Sequence, residues 1–453
     1  MHGCGIRSTL MTMLRKPLPQ DEYGPPDRWW ILTFVALAYF VLILHRMLVF
    51  YIQVPLSEEL GLTKTERGML DPAFIVPYGV AQVCVAYLSD RFRRRTILAY
   101  SLLASAIALA ATGLTQNFAQ LMTWRIVLGL AQAASVPAIA GVMADCFTSK
   151  NRSTAIGVYF VSLNLATMVA GKYGGRFADM AHIELPFQPL GFTSAALQGW
   201  RIAMFCFAFV GVISAMLVHG LMREPERTER DPQQGLGAKG STLWGTIRSV
   251  LAVRSYWMLA VAYLLFCIVA NVQDFWLAAY FVEDFGMTNE AGGQFATIWS
   301  RPSTIVGLLL GGYWADRWAR GCLQGRTLVQ VVGMVTCVPA LYLLGIGRTP
   351  ELLAGTLVVF GLGYGFYVAN LWTTTFEIID PAARSTAVGL LNVIGTGAAP
   401  AAPIVGYLAE QKISGLGESI AGLSVLAGLI VVLLVLNVTV FLRRDYRGAI
   451  SVE

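Results

Sequence analysis

Charge is scarce in this chain. Asp, Glu, Lys and Arg together make up 13% of the 453 residues, and histidine occurs four times. A water-soluble domain carries about 25% charged residues, so a fully hydrated surface is out of reach. Cysteine is also thin, and the seven present (positions 4, 84, 146, 206, 267, 322 and 337) form no C-x-x-C pair. That argues against a disulfide framework or a thiolate metal site. No G-x-x-x-x-G-K-[ST] occurs, which argues against a nucleotide-driven pump. No nucleophile, metal or cofactor constellation stands out, so neither an enzyme nor a cofactor is expected.

What the chain has is hydrocarbon. Hydrophobic residues make up 56% and the mean hydropathy is +0.61. The apolar runs are mostly long enough, at about 1.5 Å per residue, to cross a hydrocarbon core of about 30 Å. The reading is an all-α integral membrane protein with twelve transmembrane helices near 29–54, 68–88, 96–115, 120–142, 153–174, 200–222, 256–281, 292–313, 327–346, 352–376, 386–409 and 421–442. Arg7, Arg15, Lys16 and Arg28 precede the first helix, and the even-numbered loops are rich in Lys and Arg; the other side holds Lys64, Arg67, Arg176, Arg348 and Lys412. By the positive-inside rule both termini are cytoplasmic, in a multi-pass inner-membrane protein. The formal charge of +6 then belongs to the inner membrane face, not to a nucleic-acid partner. The N-terminus lacks a signal peptide's apolar core and cleavage site, so the first helix is expected to act as an uncleaved signal.

The chain also repeats itself. "EELGLTKTERG" at 58–68 matches "EDFGMTNEAGG" at 283–293, offset 225; "YLSDR" at 87–91 matches "YWADR" at 313–317, offset 226. "RSTAIGV" at 152–158 matches "RSTAVGL" at 384–390, offset 232, and an acid stands seven residues ahead of each, Asp145 and Glu377. The expected organisation is an N-terminal segment 1–28, a six-helix half 29–222, a charged linker 223–254, a second six-helix half 255–442 and a tail 443–453.

These motifs resemble those of the major facilitator superfamily. "AYLSDRFRRR" at 86–95 is similar to its G-x-L-a-D-R-x-G-R-R signature between helices two and three, and "GGYWADRWARG" at 311–321 is the second-half copy. "RIVLGLAQA" at 125–133 resembles the R-x-x-x-G of helix four. Ala86 and Arg93 stand where glycines are usual, but the Asp-Arg core is kept. Parallel six-helix halves imply alternating access about a central site. Asp90, Arg91, Asp316 and Arg317 then read as a cytoplasmic gate, with Asp145/Arg152 and Glu377/Arg384 as further ionic latches. The plainer reading of the Arg91 and Arg93–Arg95 cluster is topology alone; it does not account for the paired Asp90 and Asp316.

Ionisable groups deep in the bilayer are the site candidates. Arg46 lies nine residues before Pro55, so about 13–14 Å inside. Burying it costs about 2.5–3.5 kcal/mol, which calls for a wet cavity or an acid partner. Its repeat counterpart is Asn271, and the second half instead carries Asp274 and Arg301. Two deep arginines suit an anion, since a guanidinium fork matches a carboxylate or phosphate; alternatively Asp274 neutralises Arg301 and neither meets substrate. Arg125 reads as a cavity residue or a snorkeler, and Lys172 as a snorkeler. Tyr78, Gln82, Tyr159, Asn164, Gln273, Trp276, Tyr367, Asn370 and Asn392 are candidate cavity-lining groups that rank below the charges, since such residues are individually more often helix-packing groups.

At branch level the chain looks most like the anion:cation symporters and the organophosphate:phosphate antiporters. Proton-coupled members of that group carry an acid before the helix-one arginine and a glutamate in helix four; here His45 and Gln132 stand there. Coupling passes to His45 or Asp274, or is absent, and His45 also reads as a packed neutral residue. The leading function is secondary active transport of a small organic anion, a carboxylate or a phosphorylated metabolite, by a monomer, with proton coupling left open. The alternatives are proton-antiport efflux of cationic drugs, and a transporter-like sensor.

Overall fold

The computed structural model describes residues 27–89, 92–147, 152–180, 183–184, 196–224, 243–322, 324–380, 383–442 and 445. The first part of the chain gives α1 (Arg28–Leu60), a single turn α2 (Lys64–Gly68), α3 (Pro72–Ser89), α4 (Arg94–Gly113), α5 (Phe118–Gln132), α6 (Ser135–Cys146) and α7 (Arg152–Val169). A π-helical stretch, Ala170–Gly174, continues α7 into α8 (Gly175–Ala178), and α9 (Gly199–Leu221) follows. The second part gives α10 (Leu243–Ala252), α11 (Arg254–Phe285), α12 (Asn289–Ile298), α13 (Ser300–Ala319), α14 (Gly325–Ile346), α15 (Pro350–Ile378), α16 (Arg384–Thr396), α17 (Ala401–Glu410) and α18 (Leu416–Leu436). Between α8 and α9, β1 (Ile183–Glu184) and β2 (Ala196–Leu197) pair antiparallel, a small ribbon that hydropathy does not anticipate.

Ten of the described helices are long and apolar enough to cross a membrane. With α3 and α13 they follow the expected order of twelve, and the chain is a multi-pass membrane protein. Several passes are built from two pieces: α5 with α6, α12 with α13, and α16 with α17. The last break contains Gly397 and Pro400, which remove helical preference and a backbone donor. α1 runs past the expected end at 54 to Leu60, through Pro55. Part of the expected linker is helical, as α10.

The repeat is expressed in local geometry. α1 and α11 both end on a left-handed glycine, Gly61 (φ 64°) and Gly286 (φ 65°), a conformation other L-residues adopt at a cost. Two residues on, Thr63 and Thr288 each cap the next helix, accepting from the Glu66 and Ala291 N–H groups. Both glycines and both threonines are 225 residues apart.

α1 and α11 form the centre of the molecule. Val35, Ala38, Leu42, Leu48 and Ile52 on one, and Phe275, Trp276, Tyr280 and Phe281 on the other, are at most 1% exposed. Gln53 ties them by donating to the Phe275 carbonyl at 2.7 Å.

Around this axis the two halves meet most closely at the end of the bundle poor in arginine. Glu283 accepts from both Lys64 and Arg67 at 2.6 Å. Glu410, at the end of α17, accepts from the Thr65 N–H at 3.2 Å and its hydroxyl at 2.5 Å, at the start of α2. The reciprocal contact is made by Asp179, which follows α8: it accepts from the N–H groups of Asn289 at 2.9 Å and Glu290 at 2.7 Å, at the start of α12. Each half thus sets a carboxylate on a helix N-terminus of the other, where unpaired N–H groups and the helix dipole favour negative charge.

Glycine brings the backbones together there. A methyl on Gly293 would stand 2.3 Å from the Gly171 carbonyl oxygen, and one on Gly68 would stand 2.5 Å from Pro403 Cα. The offset of 225 relates Gly68 to Gly293, and 232 relates Gly171 to Pro403, so the two contacts are the same contact in two copies.

Candidate functional site

Arg46 on α1 is half-buried, with its guanidinium carbon 4.9 Å from the Phe74 ring centre and 5.8 Å from that of Tyr78. Arg125 on α5 is 2% exposed; its Nε donates to the Leu70 carbonyl at 3.0 Å and its guanidinium carbon is 5.3 Å from the same Phe74 ring. Cation–π contact offsets part of the cost of desolvating both groups. It does not satisfy their N–H donors: Arg46 Nε and Arg125 Nη2 are buried without an acceptor. Among the described residues, neither arginine has a carboxylate within ion-pair distance. Tyr159 stacks on Tyr39 at 3.9 Å, and Tyr39, Tyr78 and Tyr159 all lie in the field of Arg46; Gln82 hydrogen-bonds Tyr78.

Sequence reasoning missed Asp71. It stands one residue ahead of α3, is 2% exposed, and interacts electrostatically with Arg46, Arg125 and Asp274. Its Oδ2 has no hydrogen-bond partner. The signal was an acid inside the stretch "MLDPAF", in a segment assigned to the membrane from residue 68 onward.

On the other side of the site, Arg301 on α13 pairs with Asp274 on α11 at 2.5 Å, and Tyr51 and Tyr364 complete its surroundings. The reading in which Asp274 neutralises Arg301 matches this contact. Arg46, Arg125 and Arg301 face Asp71 and Asp274, so with all five ionised the cluster carries an excess of positive charge. Asn271 is half-buried one turn before Asp274.

Other candidates stand apart from this cluster. His45 is 0% exposed, its Nε2 is 2.9 Å from the Phe207 carbonyl, and its ring lies against Gly211 on α9. A carbonyl only accepts, so Nε2 carries the proton, and Nδ1 is sealed without a partner. Neighbouring positions on a helix point about 100° apart, so Arg46 and His45 face different helices. Gln132 donates to the Leu42 carbonyl at 3.0 Å and Asn370 to those of Phe366 at 3.0 Å and Gly311 at 3.3 Å. Tyr367 stacks on Phe266, Trp276 donates to the Ala402 carbonyl at 3.0 Å, and Gln273 is buried. Asn164 donates to Phe160 one turn back, Lys172 lies over Tyr173, and Asn392 is exposed on α16.

At the arginine-rich end, Asp90 and Arg91 lie outside the described residues, as does the side chain of Arg152. Asp145 pairs with Arg94, both nearly buried. Arg326 stands between Asp316 at 3.1 Å and Glu377 at 3.3 Å, while Arg384 donates to the Phe376 carbonyl at 3.1 Å; Arg317 is exposed. These ion pairs each join helices of one half; the expected Asp145/Arg152 link involves a side chain outside the described residues.

The comparisons with known proteins fit this architecture. The family model for the Major Facilitator Superfamily matches residues 35–403. The cis,cis-muconate transport protein of Acinetobacter baylyi is 25% identical, covering 83% of this chain and 86% of its own. The hexuronate transporter of Bacillus subtilis is 21% identical, over 90% of this chain and 94% of its own. Among solved structures, a bacterial homologue of the human lysosomal transporter Spinster, in an inward-facing and unoccupied conformation, superposes with a TM-score of 0.78 at 18% identity. It covers 93% of this chain and 99% of its own. The chain belongs to the Major Facilitator Superfamily and is a transporter, not an enzyme.

Proposed function

We propose that the protein is a secondary transporter of a small organic anion, a carboxylate, which binds between the halves against Arg46 and Arg125. The observation that carries this reading is the pair of guanidiniums on one aromatic ring, each with a buried N–H donor that lacks an acceptor. A carboxylate supplies the missing acceptors and offsets the surplus positive charge. Relatives named as transporters of muconate, hexuronate, L-galactonate and tartrate agree in substrate class. Arg301 and Asp274 form the opposite wall, and rocking of the halves exposes the site to either side in turn.

With both termini cytoplasmic, the joined end faces outward. The gate at the cytoplasmic end then comprises Asp90, Arg91, Asp316 and Arg317. Efflux of cationic drugs fits less well, because both acids in the cluster are outweighed by arginine. A thermal-shift screen with cis,cis-muconate, galactonate, hexuronates and tartrate on wild type and Arg46→Ala tests the reading. Stabilisation that the mutation removes supports it, and equal stabilisation of both proteins refutes it.

A further inference from the structure

We infer that Asp71 is the proton-binding carboxylate that links anion movement to a proton. The inference rests on the anion-transport reading above. Asp71 is 2% exposed and its Oδ2 is buried with no partner, so one oxygen of a carboxylate sits in the core unsatisfied. An ionised oxygen in that state is costly, and an added proton removes the charge.

The groups facing Asp71 are Arg46 from α1, Arg125 from α5 and Asp274 from α11. Arg67, on the neighbouring turn, is directed to Glu283 and lies over Trp276. The other candidates are engaged elsewhere. Protonating Asp274 would give up its pair with Arg301, and His45 is held by the Phe207 carbonyl away from the cluster.

The consequence is a linkage between two ligands. Ionised Asp71 competes with a substrate carboxylate for the field of the same two guanidiniums. A proton taken from water at one face adds to Oδ2 as an O–H and is released to water at the other face; no other bond changes. Neutral Asp71 leaves Arg46 and Arg125 to the anion, so proton and anion favour each other's binding. Anion affinity therefore falls as rising pH deprotonates Asp71.

The test uses purified full-length wild type, Asp71→Asn and Asp71→Glu. Infrared difference titration without any anion should show a protonated-carboxyl band in acid that Asp71→Asn lacks. In proteoliposomes with cis,cis-muconate, galactonate and tartrate as probes, Asp71→Asn should lose proton-gradient-driven accumulation by about tenfold or more relative to its own rate of anion exchange. Its anion affinity should no longer change with pH, and Asp71→Glu should restore both responses. Accumulation in Asp71→Asn equal to wild type, or an unchanged carboxyl band, overturns the inference while leaving anion transport intact. Failure of wild type to bind or move any of the three probes overturns the transport reading and the coupling built on it.

Discussion

Arg46 and Arg125, 79 residues apart in the chain, share one aromatic ring: their guanidinium carbons lie 4.9 and 5.3 Å from the centre of Phe74. Two like charges held this way repel each other, and a bound anion relieves the repulsion.

Arg46→Ala should therefore weaken anion binding by about 1.5–3 kcal/mol, the usual worth of a hydrogen bond to a charged group, or roughly ten- to a hundredfold. Arg46→Lys keeps the charge but not the planar fork and should fall between. Calorimetric titration reads both, and an unchanged affinity in Arg46→Ala would remove Arg46 from the site.

The Arg301–Asp274 pair is a different case, since each partner already has an opposite charge. Asp274→Asn or Arg301→Gln strands its partner in a largely buried setting and should cost about 3 kcal/mol, seen as a lowered Tm. Both changes together should cost less than their sum. Strictly additive losses would mean that the pair does not act as a unit.

Gly293→Ala places a methyl where the Gly171 carbonyl oxygen stands, 2.3 Å away. Alanine favours a helix over glycine by about 1 kcal/mol, so folding should not suffer. The joined end, however, should no longer close. Spin labels at Leu114 and Ile413, both well exposed, should move apart in this variant, and transport should fall. An unaltered distance distribution would show that the seam has slack.

Asp179→Ala should open the same end more gently. The carboxylate is exposed, and such an interaction with a helix N-terminus contributes about 0.3–1 kcal/mol, enough to shift the two populations a fewfold. The same labels measure the shift, and high salt should mimic it.

His45→Gln should leave proton-driven accumulation intact. The ring is enclosed between α1 and α9, so its loss should appear as lowered stability. Loss of coupling with unchanged Tm would instead place His45 on the proton path.

Much of this architecture was readable in one dimension because it is periodic. Twelve apolar runs and offsets of 225, 226 and 232 residues fix the order of the passes, and Arg46 and Arg301 stand out against hydrocarbon. Asp71 did not, because its burial arises from the short return made by α2, a tertiary event with no hydropathy signature. The direction of His45 was likewise hidden. Adjacent residues on a helix are indistinguishable by depth, and only the packing of α9 against α1 separates them. For Asp145, helix packing brings Arg94 to it from 51 residues away, a pairing that spacing along the chain does not reveal.

The contact between Gly171 and Gly293 has a kinetic side. Where two surfaces meet through side chains, parting them frees rotamers and rejoining them must freeze those rotamers again, a cost paid in every cycle. Backbone lying on backbone has no such freedom to lose. This face of the molecule can separate and reseal with almost no change in internal disorder, which favours a turnover rate governed by the cargo and its site, not by the door.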